Sequence, residues 1–180
     1  NMGSSNTQVS LVEYSAYTEK IGSGRKNKTI GQFEVLSHAY DERLGGQAFD
    51  SIIVEELADK FNELLKKKGF DDDSRKNFRV MARLKEAAQK TKTVLSSNQF
   101  TPVFIEGLLH DIDFKVKEIT RESFYERVQG LFARVLTPLK AVLDEASTEI
   151  KDVDSIVIVG GGVRVPGVQA LIKEFNEGRD

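Results

Sequence analysis

The chain has 180 residues, of which 39% are apolar and 30% are charged, and its formal net charge is -2. That length suffices for one compact domain with a buried core. The composition favours neither a disordered polyelectrolyte nor a basic nucleic-acid-binding protein. No apolar run approaches the ~20 residues of a membrane span. We therefore expect neither nucleic acid nor a membrane as a partner.

Residue types that carry thiol or metal chemistry are scarce in this sequence. Cysteine is absent, and the two histidines, His38 and His110, lie far apart. Zinc sites use Cys and His ligands at short, regular spacings. The sequence therefore predicts no metal ligand in this chain.

The N-terminal segment has the composition of a β-hairpin. Residues 7–17 and 30–40 are rich in Val, Ser, Thr and Tyr, and residues 21–28 between them contain two glycines and three basic side chains. Strand-like runs separated by a polar, glycine-containing segment indicate two strands and a turn. We predict a hairpin with a long polar tip.

Two long amphipathic helices are predicted next. A four-residue apolar spacing indicates a helix over residues 47–67 that ends near Gly69. Its apolar face consists of Phe49, Ile53, Leu57, Phe61 and Leu65. The acidic residues 71–73, followed by Ser74, supply a cap and negative charge for a second helix, which we expect to end around Leu95.

The central region indicates a second hairpin followed by another helix. Residues 101–109 and 112–119 are β-rich and are joined by His110 and Asp111. Thr120, with Glu122 in the first turn, predicts a capped helix start. The helix should kink or break at Pro138, because proline lacks the backbone N–H that a helix interior requires.

The C-terminal region combines an apolar run, three glycines and a short helix. Residues 155–159 have the continuous apolar character of a strand covered on both faces, and a helix is predicted over residues 166–176. A strand, a glycine turn and a helix are typical of α/β proteins, which bind ligands at the carboxyl ends of strands. On its own, however, such a turn is more often only a tight connection.

Four segments in the same order resemble the seventy-kilodalton heat-shock chaperones of the actin-like ATPase superfamily. Residues 157–169 resemble their second adenosine motif and residues 83–97 their adenosine-binding helix. Residues 1–6 resemble their second phosphate loop, and residues 43–50 the turn and helix start that follow it. The resemblance implies that residues 1–180 are lobe II of an actin-like, ribonuclease H-like α/β domain, with residues 47–119 approximating its helical and β subdomain.

The resemblance also implies an adenine-nucleotide site for ATP or ADP. Lys92 and Gln89 would contact the ribose and Ser96 the base, while Arg164 could stack on the adenine from the other side. The full set of implied cofactor-binding residues is Gly3, Ser4, Ser5, Asn6, Gly45, Gly46, Gln89, Lys92, Thr93, Ser96, Gly160, Gly161, Gly162 and Arg164. Without the resemblance, the helix residues among them are better explained as solvated or helix-end side chains.

Departures from the family pattern bear on hydrolysis and affinity. Asn1 and Gln8 stand where the family has carboxylates, and Asn6 stands where it has a hydroxyl. An amide carries no charge and is a poor general base, which argues against hydrolysis assisted at these positions. Gln89 and Thr93 replace a Glu and a basic residue of the pattern, so one nucleotide-holding cation is missing.

With these departures, the sequence most resembles the large glucose-regulated, hypoxia-upregulated branch of this chaperone family, from the endoplasmic reticulum. Met2-Gly3-Ser4 and residues 105–108 contribute to that match. Asn27-Lys28-Thr29 is a glycosylation sequon on the predicted hairpin tip, which is compatible with a luminal protein. The branch implies residence in the endoplasmic reticulum lumen.

For the whole protein, the resemblance implies ATP binding, holding of unfolded polypeptide, and nucleotide exchange on the luminal seventy-kilodalton chaperone BiP. One lobe offers half of the nucleotide contacts, so we expect weak binding, no hydrolysis by this chain, and Mg²⁺ only in the complete two-lobed domain. Two alternatives remain open. In the first alternative, the parent protein is an actively hydrolysing chaperone. In the second, the chain is a lobe of an actin-like filament protein or of a sugar kinase.

Overall fold

The computed structural model describes residues 1–21 and 26–176 and has a mixed α/β fold, as predicted. Within these residues, two antiparallel sheets of two strands each accompany the helices. The strands are β1 (Thr7–Ile21), β2 (Lys26–Asp41), β3 (Phe100–Leu109) and β4 (Ile112–Thr120). The α-helices are α1 (Gly46–Lys67), α2 (Phe78–Ser97), α3 (Arg121–Arg127), α4 (Gln129–Val135), α5 (Thr137–Glu145) and α6 (Pro166–Phe175).

The first hairpin is confirmed, but its strands extend into the segment predicted as the tip. Lys28 of β2 pairs directly with Glu19 of β1, so opposite charges face each other across the ladder. Residues 22–25 of the predicted tip lie outside the described residues. A bulge at Leu36 shifts the register, and the hydroxyl of Ser37 donates to the Val142 carbonyl of α5 at 2.7 Å. This bond fixes the hairpin on α5.

The first helix is confirmed over nearly the predicted span. All five residues of its predicted apolar face are at most 1% exposed, and each contributes roughly 1.5–3 kcal/mol on burial. The Phe49 ring lies 6.3 Å from that of Phe124 and 5.9 Å from that of Phe132. The Phe61 ring lies 5.2 Å from Phe114 of β4. Helix α1 is therefore the element around which the core is built.

The second helix starts later than predicted. The acidic run caps only a short 3-10 turn over Ser74–Lys76, in which the Asp73 carboxylate accepts from the Arg75 amide at 3.1 Å. Helix α2 begins at Phe78, and the Asn77 side chain accepts from the amides of Arg79 and Val80. Asparagine is as good a cap as aspartate, so Asn77, which was not among the predicted start signals, begins the long helix.

The second hairpin has the predicted two-residue turn. His110 and Asp111 both have positive φ, at 51° and 54°, as a type I′ turn requires. The His110 ring stacks on Phe70 at 4.3 Å, and its Nε2 lies 2.9 Å from an Asp72 carboxylate oxygen. The hairpin tip is thus held against the loop that follows α1.

The third predicted helix is divided into α3, α4 and α5. Thr120 caps α3 as predicted, accepting from the Ser123 amide at 3.1 Å. The break predicted at Pro138 occurs two residues earlier, at Leu136. Proline occupies the first turn of α5, where its missing N–H leaves no bond unmade. A further break occurs at Val128, whose backbone leaves the helical region.

The prediction of a buried strand over residues 155–159 was wrong. Val157 is 79% exposed and Val159 is 55% exposed, and the segment forms no strand within the described residues. Its one described ladder-like bond runs from the Met2 amide to the Val159 carbonyl, at 2.8 Å. A strand requires a neighbouring strand to bond its backbone, and no described strand lies alongside this segment.

None of the described helices is both long and apolar enough to cross a bilayer.

Candidate functional site

Residues 1–8 form a tight loop that lies at the centre of the candidate site. The Asn1 carbonyl accepts from the Gln8 amide at 2.8 Å. Met2 and Thr7 form an isolated antiparallel β-bridge. The Gly3 amide donates to the Asn6 carbonyl at 2.9 Å, which closes the loop. Ser4 and Ser5 are exposed at its tip. The arrangement leaves the tip accessible and anchors both of its ends.

The N-terminal end of α1, with its cap residue Gly45, packs tightly against this loop. The amide of Gly46 donates to the Gly3 carbonyl at 2.9 Å, and that of Gln47 donates to the Ser4 carbonyl at 2.8 Å. A Cβ on Gly45 would lie 2.6 Å from the Ser4 carbonyl oxygen, which explains the need for glycine there. Gly45 and Gly46 are buried, so their role in the structure is to hold the loop.

The triple-glycine corner packs against the other side of the same loop. The Gly162 amide donates to the Met2 carbonyl at 2.9 Å. A Cβ on Gly160, where φ is +105°, would lie 2.3 Å from that carbonyl oxygen, and one on Gly162 would lie 2.6 Å from the Met2 Cγ. By contrast, a Cβ on Gly161 would meet no atom within 4 Å. Two glycines permit close packing, and the third faces open space.

Helix α2 contributes Lys92 to the site. Its ammonium donates to the Gly46 carbonyl at 2.9 Å and lies 2.7 Å from the Asp50 Oδ1. Farther along the helix, the Ser96 and Thr93 hydroxyls bond back to carbonyls of α2 itself. Lys92, by contrast, joins α2 to the N-terminal turns of α1.

The remaining predicted residues lie more openly. Gln89, Thr93 and Arg164 are exposed, and Ser96 is half-buried. In the described part of the chain, no side-chain hydrogen bond or ion pair joins any of these four to residues 1–6. Among the described residues, the Thr93 and Ser96 hydroxyls donate within α2, and the side chains of Gln89 and Arg164 are exposed to solvent.

Two distant parts of the sequence thus meet on consecutive residues of the loop. The Met2 carbonyl accepts from the glycine corner, and the Gly3 carbonyl accepts from the turn that Lys92 contacts. Gly162 itself lies close to both, because a Cβ there would come 3.2 Å from the Gly3 oxygen. The lysine-bearing helix and the glycine corner therefore flank one short segment.

Asp50 is the residue of this site that sequence reasoning missed. It is 3% exposed, and its carboxylate neighbours Lys92, which lies 42 positions away in the sequence. Asp50 lies between Phe49 and Ile53 on the buried side of α1. A carboxylate on the apolar face of an amphipathic helix is the signal that could have revealed it, because buried charges are nearly always paired.

The described residues at the candidate site do not by themselves form a magnesium site. Within residues 1–21 and 26–176, no three Asp, Glu or His side chains converge. Asn1, Asn6 and Gln8 offer neutral amide groups at the loop, whereas magnesium sites rely on carboxylates and phosphates.

The chain matches a family model described as Hsp70 protein over residues 2–180. The chain belongs to the Hsp70 family. This assignment places the α/β fold in the actin-like ATPase domain of that family and identifies the chain as part of an adenine-nucleotide-binding domain.

Several curated Hsp70 relatives align with nearly all of this chain. Heat shock 70 kDa protein 17 of Arabidopsis thaliana is 42% identical over 97% of the chain and 20% of its own length. Hypoxia up-regulated protein 1 of Danio rerio is 37% identical over 96% of the chain and 17% of its own length. A heat shock protein homolog of Saccharomyces cerevisiae is 36% identical over 92% of the chain and 23% of its own length. The chain spans about a fifth of the length of these relatives.

Proposed function

We propose that this chain is the adenine-side lobe of the ATP-binding domain of a large Hsp70-type chaperone of the endoplasmic reticulum lumen. The proposed whole protein holds unfolded polypeptide and exchanges nucleotide on the luminal seventy-kilodalton chaperone BiP. The observation that carries the nucleotide part is the meeting of Lys92's helix and the glycine corner on Met2 and Gly3.

The loop tip supplies groups suited to phosphate. No described hydrogen bond occupies the backbone amides of Ser4 and Ser5, and both residues are exposed. Free amides on a tight loop bind anionic oxygens. In the proposed complex these amides hold phosphate, while the amides of Gly46 and Gln47, which bond the loop, keep it in shape.

The two flanking walls supply groups suited to adenosine. Gly161 faces open space, so a flat base can approach its backbone closely. The exposed Arg164 can stack its guanidinium plane on that base, and the Ser96 hydroxyl can hydrogen-bond the base edge. Gln89 and Lys92 lie one turn apart on α2, where an amide and an ammonium can bond the ribose hydroxyls.

The luminal branch is supported by the similarity to hypoxia up-regulated protein 1 and by the sequon at Asn27. Hypoxia up-regulated protein 1 of Danio rerio is 37% identical over 96% of the chain. The Asn27 residue of the sequon is exposed. The neutral amides at Asn1, Asn6 and Gln8 favour a chaperone that binds ATP and hydrolyses it poorly. The alternative, an active ATPase, draws support from the 42% identical heat shock 70 kDa protein 17.

The nucleotide part is tested by calorimetric titration of ADP into the full-length protein. We expect saturable binding that Gly161→Val weakens at least about tenfold, because the valine side chain fills the open face where the base would lie. Gly31→Val is the matched control, since a Cβ at Gly31 also meets no atom within 4 Å but lies on the distant hairpin. Equal affinities of the two variants would contradict the proposed site.

The assignment to the luminal exchange-factor branch is tested by measuring two rates, the rate of ADP release from BiP and the rate of ATP turnover. Full-length protein should accelerate the release of labelled ADP from BiP and should turn over ATP far more slowly than BiP itself. A turnover equal to that of BiP, without accelerated release, would instead support the active ATPase.

A further inference from the structure

The Asp50 carboxylate is buried deeply and has one charged neighbour among the described residues. It is 3% exposed, and its Oδ1 lies 2.7 Å from Lys92 Nζ. The ammonium lies off the direction of a well-formed hydrogen bond to that oxygen, which accepts no other. The contact is therefore mainly an ion pair. Ionised carboxylates are not buried without compensation, so Lys92 is the group that makes burial of Asp50 tolerable.

Lys92 is held from two sides and is not a freely moving surface lysine. Its ammonium carries three hydrogens, one of which bonds the Gly46 carbonyl at 2.9 Å, while the Asp50 carboxylate lies on another side. The side chain remains 17% exposed. At least one hydrogen therefore remains for an acceptor from outside the described residues.

Glycine at position 46 makes room for this arrangement. A Cβ on Gly46 would lie 3.2 Å from Lys92 Nζ, tighter than ordinary van der Waals contact. The same residue donates its amide to the Gly3 carbonyl. The Lys92 ammonium therefore contacts a residue that itself bonds the loop, and the proposed function assigns phosphate binding to that loop.

From this geometry we infer that Asp50 is a positioning residue, which fixes the Lys92 ammonium so that its remaining hydrogen meets the ribose hydroxyls of the bound nucleotide. The inference rests on the proposed function and adds a residue to it. The contact with Asp50 restricts the rotamers of Lys92, so less side-chain entropy is lost when the ribose binds. Discrimination for the ribose hydroxyls should therefore depend on a carboxylate that never touches the ligand.

The test compares ADP with 2′,3′-dideoxyadenosine diphosphate, titrated into the full-length protein. The unaltered protein should prefer ADP about tenfold, because one or two hydrogen bonds to the ribose are lost in the analogue. Asp50→Asn should lower ADP affinity about five- to tenfold and change the affinity of the analogue less than about twofold. Lys92→Met should produce the same loss of preference, and the double variant should lose no more than either single variant.

Two control variants separate positioning from general damage. Glu55→Gln removes an exposed carboxylate of α1, and Lys90→Ala removes an exposed lysine of α2; neither should change the preference. Should Asp50→Asn fail to fold, Asp50→Glu retains the charge and displaces the ammonium. It should give a preference between those of the unaltered protein and Lys92→Met.

The outcomes distinguish the inference from the proposed function. An equal fall in affinity for both nucleotides in the Asp50 variants overturns the positioning role and leaves the nucleotide site intact. An unaltered protein that binds both nucleotides equally also overturns it. A protein that binds no ADP overturns the proposed function, and the inference with it.

Discussion

Arg134 and Asp41 form a two-pronged ion pair that fastens the end of β2 to α4. Arg134 Nη2 lies 2.6 Å from one Asp41 carboxylate oxygen and 2.8 Å from the other, and Nε donates to the latter at 3.1 Å. The Asp41 carboxylate also accepts from the Arg43 amide at 3.0 Å. Asp41 is the last residue of β2, so this cluster sets where the chain leaves the hairpin toward the loop-binding turn at Gly45 and Gly46.

The first prediction concerns the pH dependence of this pair. Burial raises the pKa of Asp41, but the bonds from Arg134 and from the Arg43 and Leu44 amides outweigh it and lower the pKa below its usual value. A carboxyl with a lowered pKa stabilises the fold above its unfolded pKa, and that stability is lost as the pH falls through the folded pKa. Arg134→Ala should lower the free energy of unfolding at pH 7 by about 1 kcal/mol, a value reduced for the partial exposure of the guanidinium.

Urea denaturation at several pH values measures this effect. The difference between Arg134→Ala and the unaltered protein should shrink below about pH 4, the unfolded pKa of aspartate. Arg134→Lys should recover only part of the loss, because an ammonium lacks the planar fork. Removal of the exposed Lys85 should change stability little. A difference that stays constant down to pH 2 would contradict the assignment to Asp41.

A second prediction contrasts two adjacent glycines. Gly160→Ala should lower the free energy of unfolding by about 2 kcal/mol or more, because φ there is +105° and the new Cβ would strike the Met2 carbonyl. Gly161 has φ -70° and ψ -28°, which alanine adopts readily, and its Cβ would meet open space. Gly161→Ala should therefore leave stability unchanged or raise it by up to about 1 kcal/mol. Thermal unfolding of both variants decides the matter, and equal losses would refute this geometry.

A third prediction concerns the bond between α6 and the aromatic cluster. The Gly167 amide donates to the Tyr125 hydroxyl at 2.8 Å, and the Tyr125 ring lies 5.2 Å from that of Phe132. Tyr125→Phe keeps the ring but leaves a half-buried amide without its acceptor. We expect a loss of about 1 kcal/mol in the free energy of unfolding, measured by denaturant titration. Tyr14→Phe, at an 80% exposed position, is the control and should show no loss.

A fourth prediction follows from the proposed luminal location. Asn27-Lys28-Thr29 is the one N-x-S/T sequence in the chain, and Asn27 is exposed in β2. Protein expressed through the secretory pathway should carry one N-linked glycan, seen as a gel shift that endoglycosidase removes. Asn27→Gln and Thr29→Ala should both abolish the shift, whereas Lys28→Ala, which preserves the sequon, should retain it. An unshifted protein in the lumen would show that this site is not used.

Local signals in the sequence were sufficient for several elements. The apolar spacing of α1, the His110-Asp111 turn and the Thr120 cap all depend on residues within a few positions of one another, and the structure confirms them. The start of the second helix was predicted wrongly, because the prediction relied on the acidic run alone. The acidic run before Ser74 and the Asn77 cap both start helical turns, and packing of Val80 and Leu84 into the core determines which turn continues as α2.

The sequence by itself determined the family and the α/β class, because motif order and periodicity are properties of the chain alone, and it supplied the candidate nucleotide-binding residues. The tertiary structure decided which of those residues meet. It brought Lys92 to Gly46 and Asp50, and it brought Gly162 to Met2. It also left residues 155–159 without a neighbouring strand, despite their apolar character. Pairing of a buried charge and formation of a strand both require a partner from elsewhere in the chain, and the spacing of residues along the sequence does not specify that partner.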